Sequence, residues 1–269
     1  MLIAVALAAA TSVDPIVSTA WLQAHLSDPT VRVVYVGALA EYKKAHIPGA
    51  RVIDHMETVQ MDAGGHRMAS TDTLIRVFAK AGVADDTRVV LYGDSPMATG
   101  WVNSALAAIG RSDQVSWLDG GIALWQSEKR SIETATPAPG TGPLTLRPTP
   151  DLFVDAAWVR ARLNSPSTRI LDVRSDEEWN AGHLPNATFI RGPELFAARP
   201  AMTFKSQEEI KALLARAGVG PGQEVVTYCA IGMRASLMAW AARSVGIPAR
   251  IYLGSWQDWS SDPKNPVVK

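Results

Sequence analysis

The chain repeats itself at long range. Sliding its 269 residues against themselves by 137 positions aligns Trp21 with Trp158, Leu26 with Leu163, Pro29 with Pro166, Arg32 with Arg169 and Val36 with Val173. The same shift pairs Glu41 with Glu178, His46 with His183, Pro48 with Pro185 and Ala50 with Ala187. A shift of 136 continues the match, placing Ala81-Gly82-Val83 on Ala217-Gly218-Val219, Tyr92 on Tyr228 and Gly110 on Gly246. A period this long far exceeds a solenoid unit, so each copy is a domain with its own core. Between the copies runs TATPAPGTGP, residues 134–143, where Pro and Gly disfavour helix and strand alike. The expected organisation is a first domain over 12–133, a linker over 134–149 and a second domain over 150–269.

Within each copy, apolar β-branched runs alternate with helical patterns. Strands are expected at 31–36 and 169–173, at 87–92 and 223–228, and at 115–118 and 249–253. Helices are expected at 71–81 and 206–217, ended by Gly82 and Gly218, and at 99–109 and 235–245. Strand and helix in alternation predict an α/β fold, in which a parallel sheet in each domain carries helices on both faces.

Charge and composition narrow the partners. The 26 basic and 26 acidic residues cancel, which removes the basic excess of a nucleic-acid binder and points to a small-molecule partner. Residues 1–10, MLIAVALAAA, resemble the hydrophobic stretch of a secretory signal without its basic start, and are too short to span a membrane. A periplasmic or secreted location is expected if they are a signal remnant, and a cytoplasmic one otherwise. The scattered His residues lack metal-ligand spacing.

One cysteine excludes an intramolecular disulfide and leaves a free thiol. Cys229 follows an apolar strand and precedes a helix pattern beginning near Ala235. It therefore sits at the carboxyl edge of the sheet, where open α/β folds bind ligands. The amides of Ala230, Ile231, Gly232 and Met233, with the positive end of the helix dipole, can surround the sulfur and hold an anion. Gly232 lets that backbone curl inward. Arg234 adds fixed positive charge and is expected at the solvent-accessible rim, its guanidinium reaching for an anionic donor.

These motifs resemble the rhodanese family. In the second half they are Leu171-Asp172-Val173-Arg174, Glu178-Trp179, Gly182-His183-Leu184-Pro185, the six residues Cys229 to Arg234, and LGSWQDW over 253–259. In the first half they are Glu41-Tyr42, AHIPG over 45–49 and LDGGIALW over 118–125. The resemblance is to tandem two-domain thiosulfate/3-mercaptopyruvate sulfurtransferases, in which only the C-terminal copy keeps the cysteine. Here Gly93 stands at the Cys229 position of the first copy, which is accordingly expected to be inactive and to supply one wall of an interdomain cleft. The resemblance implies transfer of a sulfur through a Cys229 persulfide from a small donor to cyanide or a thiol, with Arg234 on the donor's sulfonate and without metal or organic cofactor. Ala230-Ile231 matches neither the basic residues that often follow the cysteine in thiosulfate enzymes nor the Gly-Ser-Gly of mercaptopyruvate enzymes; thiosulfate is the donor expected from the resemblance, with 3-mercaptopyruvate as the alternative.

Rival readings use the same elements. A cysteine phosphatase has five residues between Cys and Arg, whereas four intervene here, a loop sized for sulfur rather than phosphate. A non-enzymatic persulfide carrier would use the same loop. His183 and His46 are read as structural rather than as bases, because the same His-x-Pro stands in the copy without a nucleophile. Asp172 and Arg174 are read as a buried polar pair that organises the loops, with Tyr35 at the position of Asp172 hinting at a role specific to the active half. Residues 64–67, GGHR, are read as a solvated surface loop, although Arg67 could reach the cleft.

Overall fold

The computed structural model describes residues 13–62, 65–140, 142–147, 152–197 and 202–269, so residues 1–10 lie outside the described part. The first domain contains β1 (Ile16–Val17), α1 (Thr19–His25), β2 (Val31–Val36), α2 (Leu39–Tyr42), β3 (Arg51–Ile53), β4 (Val59–Asp62), β5 (Gly65–Met68), α3 (Thr71–Lys80), β6 (Arg88–Gly93), α4 (Pro96–Ala108), β7 (Val115–Leu118) and α5 (Gly121–Ser127). The second contains β8 (Phe153–Val154), α6 (Ala156–Arg160), β9 (Thr168–Asp172), α7 (Asp176–Ala181), β10 (Ala187–Phe189), α8 (Gln207–Arg216), β11 (Glu224–Tyr228), α9 (Met233–Ser244), β12 (Ala249–Tyr252) and α10 (Ser255–Ser261).

Each domain is built on a five-stranded parallel sheet. The orders, β3-β2-β6-β7-β1 and β10-β9-β11-β12-β8, are the same when element is matched to element. Register repeats as well: Tyr35 lies beside Tyr92 and Val36 beside Gly93, as Asp172 lies beside Tyr228. Apolar clusters cover both faces of each sheet. This is the α/β architecture that alternating strands and helices require, since a parallel sheet must bury both faces.

α4 and α9 are buried on nearly every side, which explains why their sequences lack an amphipathic stripe. They pack on each other between the sheets. A Cβ on Gly100 would come within 2.9 Å of the Leu237 backbone nitrogen. At the shift of 136 Leu237 is the counterpart of Trp101, the next residue, so this contact lies close to an approximate twofold axis relating the domains. Trp117 stacks on Trp240 at 4.6 Å across the same interface, with Phe204 edge-on at 5.4 Å.

Both central helices start earlier than the periodicity suggests. Ser95 accepts a hydrogen bond from the Ala98 amide and Pro96 occupies the first turn, which moves the start of α4 from residue 99 to 96. α9 begins at Met233 because Gly232, at φ +92°, already turns the chain into it. The described residues of 134–147 carry no helix or strand and lie along the first domain. The Gly140 amide donates to the Lys80 carbonyl, and Asp85 N–H donates to that of Pro143. Leu144 is buried in the first core. The Arg111 guanidinium, buried, donates to the Thr145 carbonyl at 2.6 Å.

Candidate functional site

Cys229 follows directly on β11, the central strand, and is buried at 1% exposure. Three neighbours hold it. Gly232 N–H donates to Sγ at 3.1 Å, so charge on the sulfur has a donor. The Cys229 amide donates to Ser255 Oγ at 3.1 Å, and Ser255 Oγ donates to the Tyr252 carbonyl at 2.8 Å. The Cys229 carbonyl accepts from Trp256 N–H at 2.9 Å. Ser255 is kept at φ +52°, a left-handed backbone unusual for a non-glycine residue. At Gly232 no other residue fits: besides the positive φ, a Cβ would meet the Leu253 carbonyl at 2.9 Å.

The helix behind the loop also differs between the copies. In the first domain Ser95 caps α4 with its side chain, whereas α9 starts from Gly232 with no side-chain cap. Its first-turn donors are not taken by a capping side chain and point toward the loop that holds Cys229.

Arg234 is partly solvent-accessible, with its guanidinium engaged by the protein itself. Both ends of its guanidinium donate to Glu178, at 2.6 and 2.8 Å, and its side chain is 28% exposed. These bonds hold the Glu178 carboxyl down to about 2 and raise the Arg234 guanidinium, which the Cys229 sulfur raises further. Arg234 therefore lies beside the sulfur already paired. Glu178 caps α7 through Ser175 as well, as the Ser-x-x-Glu spacing allows.

Asp172 and Arg174 form a buried ion pair. Arg174 Nη2 donates to Asp172 Oδ2 at 2.7 Å and to the Gly182 carbonyl at 2.6 Å, and its guanidinium lies 4.4 Å from the Trp256 ring. Tyr228 OH donates a short hydrogen bond to Asp172 and accepts from Leu184 N–H at 3.2 Å. Burial, and then the Asp172 charge, push the Tyr228 phenol up, so it stays a donor. The pair bears on Cys229 through its two flanking supports, Tyr228 and Trp256. In the first copy Tyr35 replaces Asp172 and folds over Gly37, the counterpart of Arg174, where a Cβ would meet the Tyr35 ring at 2.8 Å. Tyr35 OH hydrogen-bonds Asp94 instead.

His183 stacks on Trp179 at 3.5 Å and donates through Nδ1 to the Trp179 carbonyl at 3.3 Å, while its backbone pairs with Val268. His46 repeats the arrangement with Tyr42 and Glu133. Both histidines pin the end of their own domain.

Residues 65–68 are not a solvated loop but the second strand of the β4–β5 hairpin. A cavity of about 240 Å³ opens over the cysteine loop, with Ile231, Leu253 and Asp258 on one side and His66, Arg67 and Met68 of this hairpin on the other. The twofold counterpart, about 270 Å³, lies over Gly93 and Asp94 and is closed by Phe196, Met202 and Phe204 of the second domain. At Gly93 a Cβ would run into the Val36 carbonyl and within 2.8 Å of Thr99 Oγ1. Glu178 and Ser255 stood inside motifs read from the sequence, but neither was given a role at the cysteine, and the hairpin was read as a loop. Only the Ser-x-x-Glu spacing and the GGHR run offered a signal.

A family model described as "Rhodanese-like domain" matches residues 18–128 and again 155–262. A thiosulfate sulfurtransferase of Azotobacter vinelandii is 29% identical, covering 95% of this chain and 97% of the relative. A sulfur carrier protein of Thermus thermophilus is 31% identical over 95% and 97% of the two chains. A probable 3-mercaptopyruvate sulfurtransferase of Pseudomonas aeruginosa is 28% identical over 92% and 95%. Among solved structures, that of YnjE superposes with a TM-score of 0.81 at 27% identity, covering 95% of this chain and 68% of that one.

Proposed function

Because the chain belongs to the rhodanese family, carrying its domain twice, we propose that it transfers a sulfane sulfur from thiosulfate to cyanide or a thiol through a persulfide on Cys229. No metal or organic cofactor has a part in this scheme. The observation that carries the reading is the Gly232 N–H on Cys229 Sγ, at the mouth of a helix that has no side-chain cap. The Cys229 thiolate attacks the outer sulfur of thiosulfate. The sulfur–sulfur bond of the donor breaks, its electron pair leaves on sulfite, and the new bond leaves a persulfide anion on Cys229. Cyanide then attacks the terminal sulfur, departs as thiocyanate and restores the thiolate.

The residues take distinct parts. The amides of Ala230, Ile231, Gly232 and Met233 cradle the transferring sulfur, and Arg234, steadied by Glu178, supplies positive charge beside it. Asp172 and Arg174 hold Tyr228 and Trp256, and His183 stays structural. The first domain, taken as 12–133, supports the second, taken as 150–269, and presents one wall of the cavity.

A second reading has 3-mercaptopyruvate as the donor, favoured by a relative of that name matching as well as the thiosulfate relatives. Parallel kinetics with the two donors test the choice. A kcat/KM for thiosulfate at least tenfold above that for 3-mercaptopyruvate is expected, and the reverse order would exchange the two readings.

A further inference from the structure

We propose that a cavity between α4 and α9, on the approximate twofold axis, binds a small monocarboxylate with an apolar body. The cavity measures about 290 Å³ and is lined by residues of both domains that match at the shift of 136: Asn103 and Ala239, Ser104 and Trp240, Val115 and Ile251. It shares no lining residue with the cavity over the Cys229 loop or with the one over Gly93. Domain interfaces are a favoured place for small-molecule sites, whose volumes start at roughly 300 Å³.

The matched residues differ in chemistry, and each domain brings its own polar groups. From the first come Asn103 and Ser104, only 7% and 2% exposed. Among the described residues none hydrogen-bonds the Asn103 amide or the Ser104 hydroxyl, and neither group is sealed in by protein, so the little surface they keep opens on the cavity they line. A buried amide without a partner is costly, and a ligand oxygen would supply one. From the second domain comes a cation, Arg243, where the first copy has Ala107. Arg243 keeps exposed surface at the mouth, and its guanidinium donates to Ser112 Oγ at 3.2 Å. Among the described residues it forms no ion pair. The protein packed about it lowers the guanidinium from its ordinary value, with no acid to offset the loss.

The ligand class follows from these groups. A guanidinium fork, an amide and a hydroxyl are donors suited to one planar carboxylate. Trp240, Val115 and Ile251 offer apolar surface to the rest of the molecule. Asp113, also on the wall, lies 3.8 Å from Arg147 and opposes a second negative charge, which favours a monoanion over a dicarboxylate. Because the donors stand on α4 and α9, the bound molecule ties the two domains together and stabilises the folded chain.

The test titrates benzoate into the full chain by calorimetry at neutral pH, with benzyl alcohol and phthalate as the uncharged and doubly charged comparisons. Benzoate should bind saturably at one site per chain, at least tenfold more tightly than either comparison, and should raise the unfolding midpoint. Arg243→Gln should weaken benzoate binding at least tenfold and cancel the rise in midpoint, and Asn103→Leu should weaken it at least threefold. Arg243→Lys should recover part of the loss. Arg234→Ala should bind benzoate within twofold of the parent, since that arginine belongs to the other cavity. The proposal is overturned if the parent shows no saturable binding, or if benzyl alcohol or phthalate binds within twofold of benzoate. It is equally overturned if Arg243→Gln binds as the parent does, or if binding is lost in Arg234→Ala instead. The three probes on the parent chain decide the matter even where a variant fails to fold.

Discussion

Breaking the Arg234–Glu178 pair should change stability and catalysis together, and the structure sets the size of each effect. Two charge-assisted hydrogen bonds, at 2.6 and 2.8 Å, join the side chains. Such bonds contribute about 1.5–3 kcal/mol each when well shielded. Here the side chains are 28% and 33% exposed, and solvent screening reduces the coupling of the pair to about 1–2 kcal/mol. A double-mutant cycle with Arg234→Ala and Glu178→Ala, read by denaturant or thermal unfolding at pH 7, should return that value. Arg234→Ala alone should lower the midpoint by roughly 2–6 °C. Glu178 is held at about 2 in the folded chain against the usual 4.5. Since the folded value is the lower one, the stabilisation is whole above about 4.5 and is lost as pH falls toward about 2. The coupling should therefore fall by more than half between pH 6 and pH 3. Arg234→Ala should also reduce kcat/KM for thiosulfate roughly ten- to hundredfold, because the fixed charge beside the sulfur goes with it. A coupling below about 0.3 kcal/mol at pH 7, or one indifferent to pH over this range, would refute the reasoning.

Two further outcomes follow from backbone geometry. Gly93→Cys in a Cys229→Ser background should gain no sulfur from thiosulfate, because a Cβ at 93 meets the Val36 carbonyl and Thr99 Oγ1; mass spectrometry showing sulfur on the introduced thiol would contradict this. Ser255→Ala leaves the Cys229 amide without its acceptor and keeps the left-handed backbone, so it should destabilise by about 1–3 kcal/mol and slow sulfur loading. Ser255→Gly, which relieves the backbone, should be about 1 kcal/mol milder. Equal unfolding midpoints for the two variants would mean that the positive φ stores no strain.

Much of the fold was legible because a gapless repeat between Trp21 and Ala50 on one side and Trp158 and Ala187 on the other can only be two copies of one domain. Element borders were less so. Pro96 and Gly232 start helices by local backbone geometry, which a hydrophobic period does not register. At the site, strand, cysteine, glycine and arginine stand within a few residues of one another, so their association was open to inspection. The partners that define the chemistry come from far along the chain. Glu178 is 56 residues from Arg234, and Ser255 is 26 from Cys229. Such pairings are made by the parallel sheet, which brings the ends of β9, β11 and β12 to one edge. The hairpin was read as a loop, although Arg67 was noted as able to reach the cleft, because its strands and its approach to the other domain depend on the twofold packing of Gly100 against Leu237.

The central claim, a persulfide on Cys229, is tested most directly by the mass of the intact protein after thiosulfate and again after cyanide. The parent chain should gain one sulfur atom and lose it as thiocyanate forms, while Cys229→Ser should gain nothing. An unchanged mass in the parent, or a gain that survives in Cys229→Ser, would contradict the account.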